Sequence, residues 1–184
     1  MTARQAAALA AFARLTRHPV LRDARPVLAG TFPLGLDGAA SDLDVICQAG
    51  DPARFADRLA RAFGSRPGFR VRLLSVGARP TVVAHFREEG FPVEVFAQVR
   101  PTRAQRAVRH LQVEARLLEL HGEPLRLCVR ALKTRGVKTE PAFARCLGLA
   151  GDPYLALLAL ESASDAELRR LVITGVQPAD ECAG

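Results

Sequence analysis

Two segments of the chain alternate apolar and acidic residues with the period of a half-buried strand. Over 42–48, Leu43, Val45 and Cys47 take one parity and Asp42 and Asp44 the other; over 91–97, Val93, Val95 and Ala97 stand opposite Glu94. Each strand therefore turns aliphatic residues to a core and acid to the reverse face. Around them the pattern predicts a first helix over 3–17, opened by a Thr2-x-x-Gln5 capping box and carrying Ala8, Phe12 and Leu15 on one face. A strand over 26–29 leads into Gly30-Thr31. After the Asp42 strand, Asp51 reads as an N-cap with Pro52 at the first helical position, Phe55, Leu59 and Phe63 inward, and Gly64 as the stop. Further strands are expected over 69–75 and 81–86, and Arg87-Glu88-Glu89-Gly90 reads as a hairpin turn into the Glu94 strand.

From Pro101 onward the period becomes helical. Thr102-x-x-Gln105 reads as a second capping box, and Ala104, Val108, Leu111, Ala115 and Leu118 continue one apolar face to the neighbourhood of Leu120. Pro124 opens another helix that ends at Gly136, and shorter helices start at Pro141, Pro153 and Asp165, the last capped by Ser164 with Glu167. The expected fold class is α+β: a mixed β-sheet of about five strands backed by helices. Residues 1–100 would form the core and 101–184 a C-terminal helical region packed on it.

Asp42 and Asp44 share one small volume if their segment is a strand. Like charges held so close repel, and a cation or a proton must relieve them. With Glu94 on a neighbouring strand, three carboxylates converge, the hard-oxygen donor set of Mg2+ or Mn2+. A calcium loop over 37–44 is a competing reading, but its oxygen ligands do not alternate and no Glu closes it. The plain reading is a solvated loop whose acids cap a strand.

Taken together, Ala29-Gly30-Thr31, then Asp42-Leu43-Asp44-Val45, then Glu94 resemble the signature of the nucleotidyltransferase superfamily built on the polymerase-beta-like minimal core. Thr31 stands where Ser is commoner, and the third acid is the longer Glu. The segment from Lys133 through Tyr154 is similar to an uncharacterised bacterial family within that superfamily. The resemblance implies a metal-dependent enzyme that moves a nucleoside monophosphate from a nucleoside triphosphate, such as ATP, to a hydroxyl acceptor and releases pyrophosphate. Asp42, Asp44 and Glu94 would be its catalytic acids and hold the Mg2+ (or Mn2+), with Glu94 on the nucleophile side. Gly30, Thr31 and Ser41 would take the phosphates. The acceptor, whether small molecule, RNA or protein, is not named by the resemblance. The alternative is a non-catalytic or regulatory protein that keeps the fold and binds nucleotide or a protein partner, as in a toxin–antitoxin system.

Net charge sharpens this picture only slightly. The 184 residues carry +7, and Lys133 and Lys138 are the only lysines among 26 basic residues. A positive surface attracts polyanions, but with no Trp and one Tyr there is no stacking platform for base readout. Arg126, Arg130 and Lys133 recur at i, i+4 and i+7 opposite Leu125, Cys128 and Leu132, a stripe that suits either solvent or phosphate. Arg130, Lys133 and Lys138 are therefore candidate nucleotide contacts. His110 and Glu114 lie one turn apart beside the apolar face, while His18, His85 and His121 show no partner in the sequence. Cys47, Cys128, Cys146 and Cys182 form no close pair, so neither zinc nor disulfides are indicated and free thiols are expected. With no secretory or membrane-spanning segment, the expectation is a cytoplasmic protein with no membrane partner.

Overall fold

A computed structural model describes residues 1–174. It divides into two compact units, Met1–Leu111 and Gln112–Gly184. The first holds a five-stranded sheet in the order β1 (Val27–Ala29), β2 (Leu43–Gln48), β5 (Phe91–Gln98), β4 (Arg79–Glu88), β3 (Arg70–Val76). β2 and β5 are parallel and every other pair is antiparallel, so the sheet is mixed as the alternation suggested. Both hairpin turns put consecutive residues at positive φ, Gly77 and Ala78 between β3 and β4 and Glu89 and Gly90 between β4 and β5. Such turns match the right-handed twist of the strands they join.

Helices α1 (Ala3–Leu15), α2 (Pro19–Arg22) and α4 (Pro52–Phe63) cover one sheet face; α3 (Thr31–Leu34) is a single turn after β1. Ala8, Ala11 and Leu15 of α1 and Phe55, Leu59 and Phe63 of α4 are buried with Leu43, Val45, Cys47, Val93, Val95 and Ala97. Asp51 caps α4 by accepting from the Arg54 N–H at 3.0 Å, with Pro52 in the first turn. On the reverse face Val108, in the first turns of α5 (Arg106–Thr134), packs with Ala29 and Ile46.

Two capping boxes read from the sequence form differently. Thr2 does accept from the Gln5 N–H, but the Gln5 side chain donates to the Phe32 carbonyl at 2.8 Å instead of closing the box. Thr102 begins a short 3-10 turn and donates to the Arg25 carbonyl, while buried Gln105 donates to the carbonyls of Cys47 (2.7 Å) and Arg100 (3.0 Å). Backbone carbonyls distant in sequence engage the two glutamine amides in place of the cap N–H groups, and the helix starts at Arg106.

The second unit is helical. α5 is broken at Gly122 (φ 62°, ψ −144°), ahead of Pro124, where a new helix was expected to open. α6 (Thr139–Cys146), α7 (Pro153–Ala159) and α8 (Asp165–Arg169) follow, and α8 has its full Ser164–Glu167 capping box. Leu117, Leu125, Val129, Phe143, Leu157 and Leu168 are buried.

The cysteine expectation needs correction. Cys128 and Cys146 form a disulfide, 18 residues apart in sequence with Cα atoms 6.1 Å apart. Both lie on apolar faces of consecutive helices, and the turn at 135–138 brings those faces together. Spacing along the chain conceals such a pair because a helical hairpin, not a short loop, makes it. Cys47 is a free thiol as expected, buried in the sheet core, where desolvation pushes its pKa up to about 12. Cys182 lies outside the described residues. Among the described residues, no helix is long and apolar enough to cross a membrane.

Candidate functional site

Register brings the acids together. Asp44 of β2 pairs directly with Glu94 of β5, and the same row continues through His85 of β4 to Arg70 of β3. Asp42 precedes β2 with the parity of Asp44, so all three acids lie on one sheet face, each half-buried. His85 Nδ1 stands 3.7 Å from Glu94 Oε2. Burial raises the Glu94 pKa above the ordinary carboxylate value; His85 and Arg70 pull it down while Asp42 pushes it up.

The turn after β1 is shaped around Asp44. Gly30 sits at φ 69° and ψ −149°, and a Cβ built there would collide with Asp44 Oδ2. The glycine is required twice, by its backbone angle and by the carboxylate that fills its side-chain space. Beyond it, Thr31 Oγ1 donates to Ser41 Oγ at 2.9 Å, and the Gly38 N–H donates to the same oxygen at 3.0 Å. The two hydroxyls carry two protons, of which their mutual bond uses one. α1 fastens this loop: Gln5 holds the Phe32 carbonyl, Arg4 donates to the Ala39 carbonyl at 3.0 Å, and Phe32 is fully buried.

Six of the nine residues singled out from sequence, Gly30, Thr31, Ser41, Asp42, Asp44 and Glu94, thus lie in the first unit around one loop and one strand pair. Arg130, Lys133 and Lys138 belong to the second unit. There Lys133 Nζ donates to Thr139 Oγ1 at 3.0 Å, tying α5 to α6, and Lys138 is the exposed residue before α6. Glu114, in the same unit, is buried, and its Oε1 accepts no hydrogen bond among the described residues. Burial, helped by the Glu140 charge and opposed by Lys133, raises its pKa to about 8.

His85 and Arg70 were not legible as site neighbours. The sequence leaves His85 without a partner, and only the antiparallel register of β4 on β5 supplies one. His18 instead accepts from the Val20 N–H at the start of α2, and His121 Nε2 lies 2.9 Å from the Leu168 carbonyl. A separate cleft lined by Asp23, Gln48, Asp51, Arg54 and Arg58 opens at the far end of β2 and holds none of the acids.

The donor chemistry of Asp42, Asp44 and Glu94 suits a hard divalent cation, which would relieve the charge that Asp42 imposes on Glu94. Among the described residues, however, no three acidic, histidine or cysteine side chains are already gathered into a metal-holding group. The acids share a face and a row rather than a closed cage.

Known structures resemble this arrangement. The poly(U) polymerase Cid1 with MgGTP bound superimposes with a TM-score of 0.57 at 14% identity, over 80% of this chain and 50% of that one. A further Cid1 structure, described for its RNA terminal uridylyl transferase activity, gives 0.56 at 15% identity over 78% and 47%. A cytoplasmic RNA terminal U-transferase gives 0.51 at 17% identity over 72% and 41%. The chain thus spans half or less of the length of these proteins, and the likeness is one of fold: a nucleotidyltransferase fold. The sequence matches no curated protein. The family model described as a domain of unknown function, DUF4269, matches residues 11–160, and the chain belongs to that family.

Proposed function

We propose that the protein is a metal-dependent nucleotidyltransferase that moves a nucleoside monophosphate from a nucleoside triphosphate to a hydroxyl acceptor. The observation that carries this reading is the direct pairing of Asp44 with Glu94 on parallel strands, with Asp42 on their face and Gly30 cut away to admit the Asp44 carboxylate. A fold does not need three acids on one exposed face, and their mutual repulsion disfavours the arrangement unless they serve a cation. The Mg-bound neighbours support the same reading at the level of fold.

Asp42, Asp44 and Glu94 would hold the Mg2+ or Mn2+. Such an ion, when bound, supplies Lewis-acid stabilisation of the charge that develops on phosphoryl oxygens. The chain's own groups do the rest. Gly30 makes room for the Asp44 carboxylate, and the uncommitted proton of the Thr31–Ser41 pair donates to a phosphate oxygen. Glu94, its carboxylate made more basic by burial, accepts the proton of the acceptor hydroxyl. Arg4 and Gln5 act on the reaction only by holding the 31–41 loop in place.

The test is transfer from α-labelled nucleoside triphosphates in Mg2+ to RNA and to cell extract, scored against Asp44→Asn. Label in a product, with pyrophosphate released and both lost in the variant, is the expected result. No transfer with any triphosphate, or equal transfer by Asp44→Asn, overturns the reading.

A further inference from the structure

The acid face of the sheet does not end at Glu94. On β4 the residues sharing its parity are Arg79, Thr81, Val83, His85 and Arg87; on β3 they are Arg70, Arg72, Leu74 and Val76. Four arginines therefore stand on this face, on the two strands beyond β5, and all four are exposed. None of their guanidinium groups is hydrogen-bonded or ion-paired to a described residue. The opposite face of the same strands carries Val71, Leu73, Val82, Ala84 and Phe86, with no arginine among the paired positions.

They occupy successive rows along the strands, with one row skipped. Arg87 comes first, then Arg70 in the His85–Glu94 row, then Arg72 one row on, and Arg79 two rows beyond that. Rows on one face are about 6.6 Å apart, so the track is about 26 Å long and meets the acid row beside Glu94. Leu74, 43% exposed, fills the row between Arg72 and Arg79, and Val76, also 43% exposed, pairs with Arg79 itself.

We infer that this face binds a single-stranded polynucleotide, its phosphates on Arg87, Arg70, Arg72 and Arg79 and its terminal hydroxyl brought to the acids. A polymer with one anion per repeat at a comparable spacing matches the rows, and guanidinium forks pair phosphate in bidentate fashion. An acidic peptide offers similar charge but places only further carboxylates beside Asp42, Asp44 and Glu94. A polynucleotide end brings the hydroxyl that a transferase requires. The binding surface stands on its own geometry; naming the strand as acceptor rests on the transferase reading. With Leu and Val in place of aromatic platforms, affinity comes chiefly from charge and is indifferent to base.

The test is fluorescence anisotropy of labelled 15-nucleotide RNA and DNA of the same mixed sequence over a range of salt. Wild type, Arg70→Ala/Arg72→Ala and Asp44→Asn are compared after melts show each folded. Each phosphate contact on a single strand contributes about −0.7 to the slope of log K against log salt, so the double variant should lose about 1.4 of slope and roughly 10- to 100-fold of affinity. Asp44→Asn should bind no more weakly than wild type. An unchanged slope and affinity in the double variant overturns the surface, as does a polyglutamate peptide that displaces the oligonucleotide at lower charge concentration than RNA does. Binding that depends on Arg70 and Arg72 without nucleotide transfer upholds the surface and refutes the transferase reading alone.

Discussion

The Asp44 carboxylate occupies the space in which a side chain at Gly30 would begin. One residue's lack of a Cβ is therefore the condition for the other's position, although one lies in the turn after β1 and the other on β2.

Gly30→Ala tests that dependence. The added methyl meets Asp44 Oδ2, and its φ of 69° with ψ −149° is strained for any L-residue. Strain of this kind costs of order 1–3 kcal/mol. Urea unfolding should show at least that loss, accompanied by a weakened thermal response to Mg2+. A variant as stable as wild type, with the same response, would mean that Asp44 is not held by this turn.

Asp42→Asn separates a metal centre from a purely structural cluster. Because the Asp42 charge pushes the Glu94 pKa up, removing it should stabilise the metal-free protein, by roughly 0.5–2 kcal/mol. Mg2+ should raise the wild-type melting temperature with the logarithm of its concentration above Kd, and move the variant much less. Melts of both proteins in EDTA and in millimolar Mg2+ give the answer. If wild type melts higher in EDTA and ignores metal, the acids are partners of His85 and Arg70 instead.

Glu114 predicts a pH dependence confined to the second unit's chemistry. Its folded pKa of about 8 exceeds the ordinary 4.5, so the native state holds its proton more tightly than the unfolded chain does. The contribution to stability is greatest below the ordinary value, declines as pH rises through the interval between the two, and levels off above about 8. Complete ionisation of the buried group costs roughly 3–5 kcal/mol. Glu114→Gln should remove this decline, so its advantage over wild type should grow between pH 5 and 8; parallel stability curves would contradict the assignment.

The Cys128–Cys146 bridge closes a loop of 18 residues, for which the chain-entropy model gives about 3 kcal/mol. Cys128→Ser/Cys146→Ser, or reduction with dithiothreitol, should lower stability by about that much. Equal melting curves with and without reductant would show the bridge to be energetically idle.

What the sequence made legible follows from how local each feature is. The α4 cap, with Asp51, Pro52 and Gly64, is written in adjacent residues and was recovered whole. So was the parity that puts Asp42, Asp44 and Glu94 on one face, because side-chain direction in a strand is fixed by position alone. Pairing is another matter: nothing local to His85 announces Glu94, and nothing local to Cys128 announces Cys146. Gln5 and Gln105 looked like cap residues because their spacing fits a cap. Their amides instead reach backbone carbonyls 27 and 58 residues away, at Phe32 and Cys47. Each miss was a long-range partner overruling a local one.

The parallel pairing of β2 with β5 has a consequence for when the acids meet. Asp44 and Glu94 face each other across 50 residues, while β3, β4 and β5 are joined in series by tight turns. Pairing between distant segments bears the larger loop-closure entropy and tends to form after local hairpins. The acid row is thus closed by the sheet's most remote contact. A chain emerging from synthesis, or one with a frayed β2, exposes separate carboxylates with little hold on a cation. Metal-dependent activity would then serve as a readout of completed folding.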